Sequence, residues 1–428
     1  MSSFFPVVVF TSGMYWSAVI LHNRLILAQR YSRVRVLGDD SSCRLPKVRV
    51  AGTSRLKLLR RTLRERRAVA NMVLEVHIPD FQALYLNASI EREEIVNLVA
   101  SLVMACPNLE RLVGFHVPFT HSFNRLSHAL STRTGLKEQA WVLANAHVEE
   151  DDNEADSVQA YYHAACDPME RFLELNSNHA SLSTLAISQE SARPAIDLTY
   201  RAVIGTIRKL PGLCHLSLSG LSASSFPNLA LSSLPLNLQS LRLENLPGIS
   251  DKGLERLSSS PIILSLKSLV LVDLEVCDLD VLANFLSSQT PLLESFSLSQ
   301  HTAPITCTGS RTPTFRSQTL KKMHWELRSQ ASPPLSLVPP PGVKSEHAFP
   351  PPDDEPVACL ATKVLATSIK EGRLPALQRI RAPHDPQGII QALCKPLGNA
   401  LLRSDMSFFT AIPRSTALGQ RFRYVGFP

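Results

Sequence analysis

The sequence contains no HExxH, GxSxG, P-loop or GxGxxG pattern, and no clustered Cys/His spacing of a metal site. Those absences remove the usual sequence signs of zinc hydrolases, serine hydrolases and nucleotide-binding folds. No enzyme activity, metal or cofactor is therefore expected. The eight cysteines, at 43, 106, 166, 214, 277, 307, 359 and 394, include no CxxC or other paired spacing. A disulfide framework shows denser usage, so free thiols in a cytoplasmic or nuclear compartment are the expectation. Charge is missing from residues 1–21, where Phe4, Phe5, Val7, Val8, Val9 and Phe10 make an apolar stretch. A secretory signal wants a basic start and a small-residue cleavage site, and Pro6 and Gly13 interrupt the run, so no membrane segment is expected.

Basic residues outnumber acidic ones, 44 to 37, and the excess is local. Arg55, Lys57, Arg60, Arg61, Arg64, Arg66 and Arg67 face the single acid Glu65 in one short run. Leu56, Leu59 and Leu63 recur there at helical spacing, which reads as the solvated face of an amphipathic helix and not as a nucleic-acid site. The lone glycosylation sequon at Asn87 is short enough to arise by chance.

Internal repetition dominates the rest. The form LxxLxL occurs at Leu213, Leu216 and Leu218, and again at Leu238, Leu241 and Leu243. Leu266, Leu269 and Leu271 repeat it, followed by Leu293, Phe296 and Leu298, then Leu320, Met323 and Trp325. First leucines at 213, 238, 266, 293 and 320 give steps of 25, 28, 27 and 27 residues, the spacing of a leucine-rich repeat. Leu182, Leu185 and Ile187 fit upstream, as do Leu109 with Leu112 and Val73 with Val76 and Ile78; Leu377 and Ile380 fit downstream. One such strand cannot bury its apolar face alone, so each unit needs a covering helix. Ile95, Leu98, Val99, Leu102 and Val103 form one candidate stripe, Val203, Ile204, Ile207 and Leu210 a second, and Leu279, Leu282, Phe285 and Leu286 a third. Pro107, Pro211 and Pro291 then stop each helix before the next strand.

The expected fold is an α/β leucine-rich-repeat solenoid: a curved parallel sheet with outer helices. Residues 51–328 form its main body and 358–400 its last repeats, with a tail at 401–428. Between them, residues 329–357 hold nine prolines and almost no periodic apolar residues, which predicts a disordered insertion. The acidic run at 149–156 reads as a solvated loop.

Residues 238–257, LQSLRLENLPGISDKGLERL, resemble the repeats of F-box proteins, in which a strand passes through Ile-Ser/Thr-Asp to Gly-Leu and a helix; Ile249, Ser250, Asp251, Gly253 and Leu254 match. With echoes at 31–37, 58–63, 106–112 and 381–388, the chain is similar to a group of fungal F-box and leucine-rich-repeat proteins over roughly residues 30–400. The resemblance implies a substrate-recognition subunit of an SCF-type cullin ubiquitin ligase, docked on the cullin adaptor through an amino-terminal helical module. Here residues 1–50 offer only a divergent or truncated F-box, because the opening Leu-Pro pair and first helices are missing. A repeat scaffold without a ligase connection therefore stays open, and so does a secreted or membrane-anchored receptor if residues 1–21 act as a signal.

Strand alternation names a site. The leucines of LxxLxL point inward, and the residues between them point out onto the concave face. Ser240, Arg242 and Glu244, then Ser268, Val270 and Val272, then Ser295, Ser297 and Ser299 are expected there. Lys322, His324 and Glu326 follow, with Arg379 and Arg381, to contact a protein target. The face so drawn is mixed in charge through the middle and basic toward the carboxyl end. His384 and Asp385 read as a loop pair, since no nucleophile stands in a recognisable motif.

Overall fold

The computed structural model describes residues 8–9, 33–35, 52–87, 92–119, 124–143, 167–189, 197–306, 313–328, 359–385 and 388–394. The predicted insertion at 329–357, the acidic run at 149–156 and the tail at 401–428 lie outside the described residues.

Among the described residues all strand pairs are parallel. Strands β1 (Val8–Val9), β2 (Arg33–Arg35), β3 (Glu75–His77) and β4 (Arg111–Val113) lie side by side in chain order. They are followed by β5 (Pro118–Phe119), β6 (Glu138–Leu143), β7 (Thr184–Gln189), β8 (His215–Ser219) and β9 (Ser240–Glu244). The series ends with β10 (Ser268–Val272), β11 (Ser295–Gln300), β12 (Lys322–Leu327) and β13 (Arg379–Arg381). The five central units and the one beginning at Leu182 thus supply six neighbouring strands, β7 to β12, of one sheet.

A chain of backbone hydrogen bonds just ahead of the strands fixes the register. Glu110 N–H donates to Leu74 O, Lys137 to Glu110, Ser183 to Lys137 and Cys214 to Ser183, all at 2.7–2.9 Å. Gln239, Lys267, Glu294, Lys321 and Gln378 continue the series over the same 2.7–2.9 Å. The Lys137–Glu110 bond carries it from β4 to β6, so the four-stranded and nine-stranded ladders form one stack. Between them the chain touches β6 at Glu110, turns away after β4 and joins β6 at Pro118, opposite Val142. Gly114 makes the turn at φ +80°, with a Cβ that would lie 2.7 Å from Pro79 Cα. Only glycine fits there.

Sequence patterning explains the layering. The LxxLxL leucines are fully buried, and so are all three predicted helical stripes, which belong to helices Arg92–Ala105, Tyr200–Arg208 and Leu279–Phe285. In the arginine-rich helix Gly52–Glu65, Leu56, Leu59 and Leu63 are buried, and Arg61 pairs with Glu65 in solvent at 2.7 Å. Helix Leu360–Lys370 precedes β13, which puts a further repeat on β12. Of residues 1–50, where an F-box remnant is expected, the described pieces are the strands β1 and β2, continuing the sheet to β3. No F-box helix is among the described residues. Strand β6 has no counterpart in the expected series: its unit starts at Leu136, but Gln139 and Trp141 stand where the later leucines belong.

Candidate functional site

Helices cover one face of the sheet, and the other carries the residues between the leucines. The register arranges these in rows across the strands. Thr184, His215, Ser240, Ser268, Ser295, Lys322 and Arg379 follow one another in the first row, from β7 to β13. Ala140, Ala186, Ser217, Arg242, Val270, Ser297, His324 and Arg381 make the second. Ser188, Ser219, Glu244, Val272, Ser299 and Glu326 make the third.

Through the middle this face carries small side chains and one pair of opposite charges. Serine, alanine and valine fill it from β7 to β11, apart from His215, Thr184 and one ion pair. In that pair the Arg242 guanidinium donates to Glu244 Oε2 at 2.7 and 3.0 Å, two residues along the same strand. The two charges cancel locally. Ser240 is buried, while Arg242 and Glu244 are half-buried.

Charge concentrates at the two ends. At the amino end, Arg111 lies between Glu75 at 3.5 Å and Glu138 at 3.8 Å, and His77 contacts Glu75 at 3.2 Å. At the carboxyl end, Glu326 organises a network. Ser299 Oγ donates to its Oε2 at 3.1 Å, and Arg328 Nε approaches its Oε1 at 3.4 Å. Arg328 also reaches Asp273 at 3.1 Å and Ser299 Oγ at 3.2 Å. His324 Nε2 lies 3.4 Å from Glu326 without making a hydrogen bond, and His384 approaches from β13's side at 3.9 Å. Burial alone raises the Glu326 pKa, but the Ser299 hydrogen bond and the Arg328 charge outweigh it and hold the carboxyl below its ordinary value. Burial also lowers the His324 pKa; Glu326 opposes this and Arg381 adds to it.

The predicted residues are therefore brought together as one surface, in two groups. Lys322, His324, Glu326, Arg379 and Arg381 share the carboxyl end, with Lys322, Arg379 and Arg381 exposed. Ser240, Arg242 and Glu244 stand three strands away. Strand alternation did not identify Arg328, Asp273 and His384. Arg328 and Asp273 each sit one residue past a strand, and Asp273 takes a left-handed turn at φ 48°. Asn245 occupies the same place after β9 at φ 47°, and its N–H donates to Val272 O. Asparagine and aspartate tolerate that conformation, which is the sequence signal that marks these turns.

Among the described residues no group of three or more His, Cys, Asp or Glu is arranged to hold a metal ion. No described helix is long and apolar enough to cross a membrane.

Comparison with protein-family models finds no match, and comparison with curated proteins finds none either. Among solved structures, the chain is similar to the leucine-rich-repeat-containing protein LegL7 from Legionella pneumophila. The likeness has 13% sequence identity and a TM-score of 0.36, covering 84% of this chain and 97% of that one. The repeat architecture rests here on the strand register and the buried leucine pattern, independently of that likeness.

Proposed function

We propose that this chain is a protein-recognition module that receives a partner polypeptide across the open face of its sheet. One observation carries the reading: a field of serine, alanine and valine spans β7 to β11 on the face that none of the described helices covers. Small side chains let a partner backbone approach closely, and serine hydroxyls offer it hydrogen bonds. Stacked repeats present such surfaces to extended partners. Binding, not catalysis, is the proposed role.

A more specific role follows from the F-box resemblance: the chain would hold a substrate for an SCF-type cullin ubiquitin ligase. Its support is the repeat at 238–257, where Asp251 accepts the Cys277 N–H of the next unit at 3.2 Å and Asn228 holds Ser250. A scaffold without a ligase connection is the second reading. It is favoured by the strands β1 and β2, which stand where a helical adaptor-docking module is expected.

Photo-crosslinking separates these readings. A benzophenone side chain placed at Ser217 or Ser297 should capture a partner protein that the same group at Lys252, on the helix face, does not. Recovery of the cullin adaptor with the full chain, lost on deleting residues 1–50, supports the ligase role. If the adaptor is absent while the Ser217 crosslink persists, the scaffold reading holds.

A further inference from the structure

The carboxyl end of the open face differs from its middle in carrying three cations on two neighbouring strands. Lys322 and Arg379 are register partners on β12 and β13, and Arg381 stands beside His324 in the next row. All three cations are exposed. Among the described residues, neither Lys322 nor Arg379 has a carboxylate within salt-bridge reach. The neighbours of Lys322 going inward are Ser295, Ser268 and Ser240, which carry no charge. Glu326 is the near acid, but Ser299, Arg328 and His384 already surround it.

We infer that Lys322, Arg379 and Arg381 form a docking corner for an acidic peptide segment, the remainder of which lies along the serine, alanine and valine field. This deepens the proposed recognition role and rests on it. The partner chemistry follows from charge complementarity and spacing. Adjacent strands lie about 4.8 Å apart, and alternate residues of an extended peptide lie about 6.6–7 Å apart on one side. The spacing of two acids at alternate positions equals that of Arg379 and Arg381 along one strand, and the long Lys322 and Arg379 side chains span the difference across neighbouring strands. The uncharged field beside the corner selects small or apolar residues next to the acids. A nucleic acid fits less well. Its phosphates recur along the whole strand, whereas Glu326, Glu244, Glu138 and Glu75 stand on the same face and would repel them.

Edge strands often carry charge only to discourage pairing with other chains. Binding measurements distinguish that role from docking. Fluorescence anisotropy would compare, on the full-length chain, three probes of equal length: a peptide with aspartates at alternate positions in one half and alanine, serine and valine in the other; the same peptide with asparagines for aspartates; and oligothymidylate. The acidic peptide should bind at least about tenfold more tightly than the neutral one, and more weakly as salt rises. The double variant Lys322→Glu/Arg379→Glu should reduce it to the neutral level while its circular dichroism melt is unchanged. Equal binding of the two peptides, an unaffected double variant, or tighter binding of oligothymidylate overturns the inference. In the equal-binding case, loss of both peptides in Ser217→Trp shows that the open face still recognises polypeptide and that only the acidic preference has failed. If no peptide binds and no partner crosslinks at Ser217, the recognition role fails as well.

Discussion

Asn228 grips Ser250 of the following repeat from both sides: its Oδ1 accepts the Ser250 N–H, and its Nδ2 donates to Ser250 Oγ, each at 2.9 Å. The same Oδ1 lies where a side chain at Gly253 would begin, 2.0 Å from an added Cβ. Glycine is thus required at 253 because asparagine is at 228, and the two should be coupled. Asn228→Ala should cost about 0.5–1.5 kcal/mol by removing both bonds, because water can reach the exposed Ser250 N–H. Gly253→Ala should destabilise the natural chain, yet cost much less in the Asn228→Ala background, where only the retained Cβ of residue 228, at 3.2 Å, still crowds the new methyl against the gain in helix propensity. Urea unfolding of the four proteins measures this coupling, and additive costs would contradict it.

Two buried glutamines should respond in opposite ways to leucine. Gln300 accepts the Val276 N–H at 3.1 Å and donates to Val276 O at 2.8 Å and Thr302 O at 2.7 Å. Among the described residues Gln139 has only a 3.5 Å contact to Ala140 O, and it lines a cavity with Leu112, Leu126, Leu130 and Trp141, beside Ser127 and His116. Gln300→Leu should lose roughly 2 kcal/mol or more, whereas Gln139→Leu should gain on the order of 1 kcal/mol. Thermal melts of the two variants should move in opposite directions.

Gln139 also shows where the sequence became hard to read. The six strands from β7 to β12 follow from leucine spacing, because each apolar position is filled by a residue that can only be buried. At β6 a glutamine takes the second seat and a tryptophan the third, so the repeat disappears from the leucine count. The structure restores it: Trp141 packs edge-on against Phe119 at 5.6 Å and donates to Asn176 Oδ1 at 3.0 Å. The open face was legible as a set of positions and charges but not as a set of pairings. Alternation tells which way Arg242 points; it does not tell that Glu244 neutralises it, or that Arg328 and Asp273 converge on the Glu326 network after their strands end.

Acid should weaken the fold partly through His179. Its side chain is only 1% exposed, and its Nδ1 contacts Arg133 O at 3.2 Å. Burial pushes its pKa below the ordinary imidazole value, more than the backbone hydrogen bonds to Arg133 and Leu175 raise it. The unfolded imidazole takes a proton near pH 6.5 while the folded one resists, so stability is full above that pH and declines as pH falls toward the folded value. His179→Asn should melt lower at pH 7.5 but lose less than the natural chain on going to pH 5.5. A parallel decline in both proteins would remove His179 from the account.

The described cysteines, 106, 214, 277, 359 and 394, are all free thiols. Burial pushes the Cys106 thiol up to about 12, against a smaller opposing effect of Arg133. Rapid alkylation followed by mass spectrometry should label the exposed Cys277 and Cys394 first and leave the buried Cys106 and Cys359 unmodified until the chain unfolds. Early labelling of Cys106 would mean that the helix Arg92–Ala105 opens readily.

The central claim is that the uncovered sheet face is the recognition surface. The most direct measurement is the Kd for a crosslinked partner, once purified, against three full-length proteins: the natural chain, Ser217→Trp/Ser297→Trp on the open face, and Lys252→Trp on the helix side. Ser217 and Ser297 are half-buried outward residues of β8 and β11, so indoles there would stand in the path of any chain lying across the field. Binding should fall by at least about a hundredfold, or 2.7 kcal/mol, in the open-face variant and change less than about twofold in Lys252→Trp. Undiminished binding by the open-face variant, or its loss on Lys252→Trp alone, would contradict the account and move the surface to the helices.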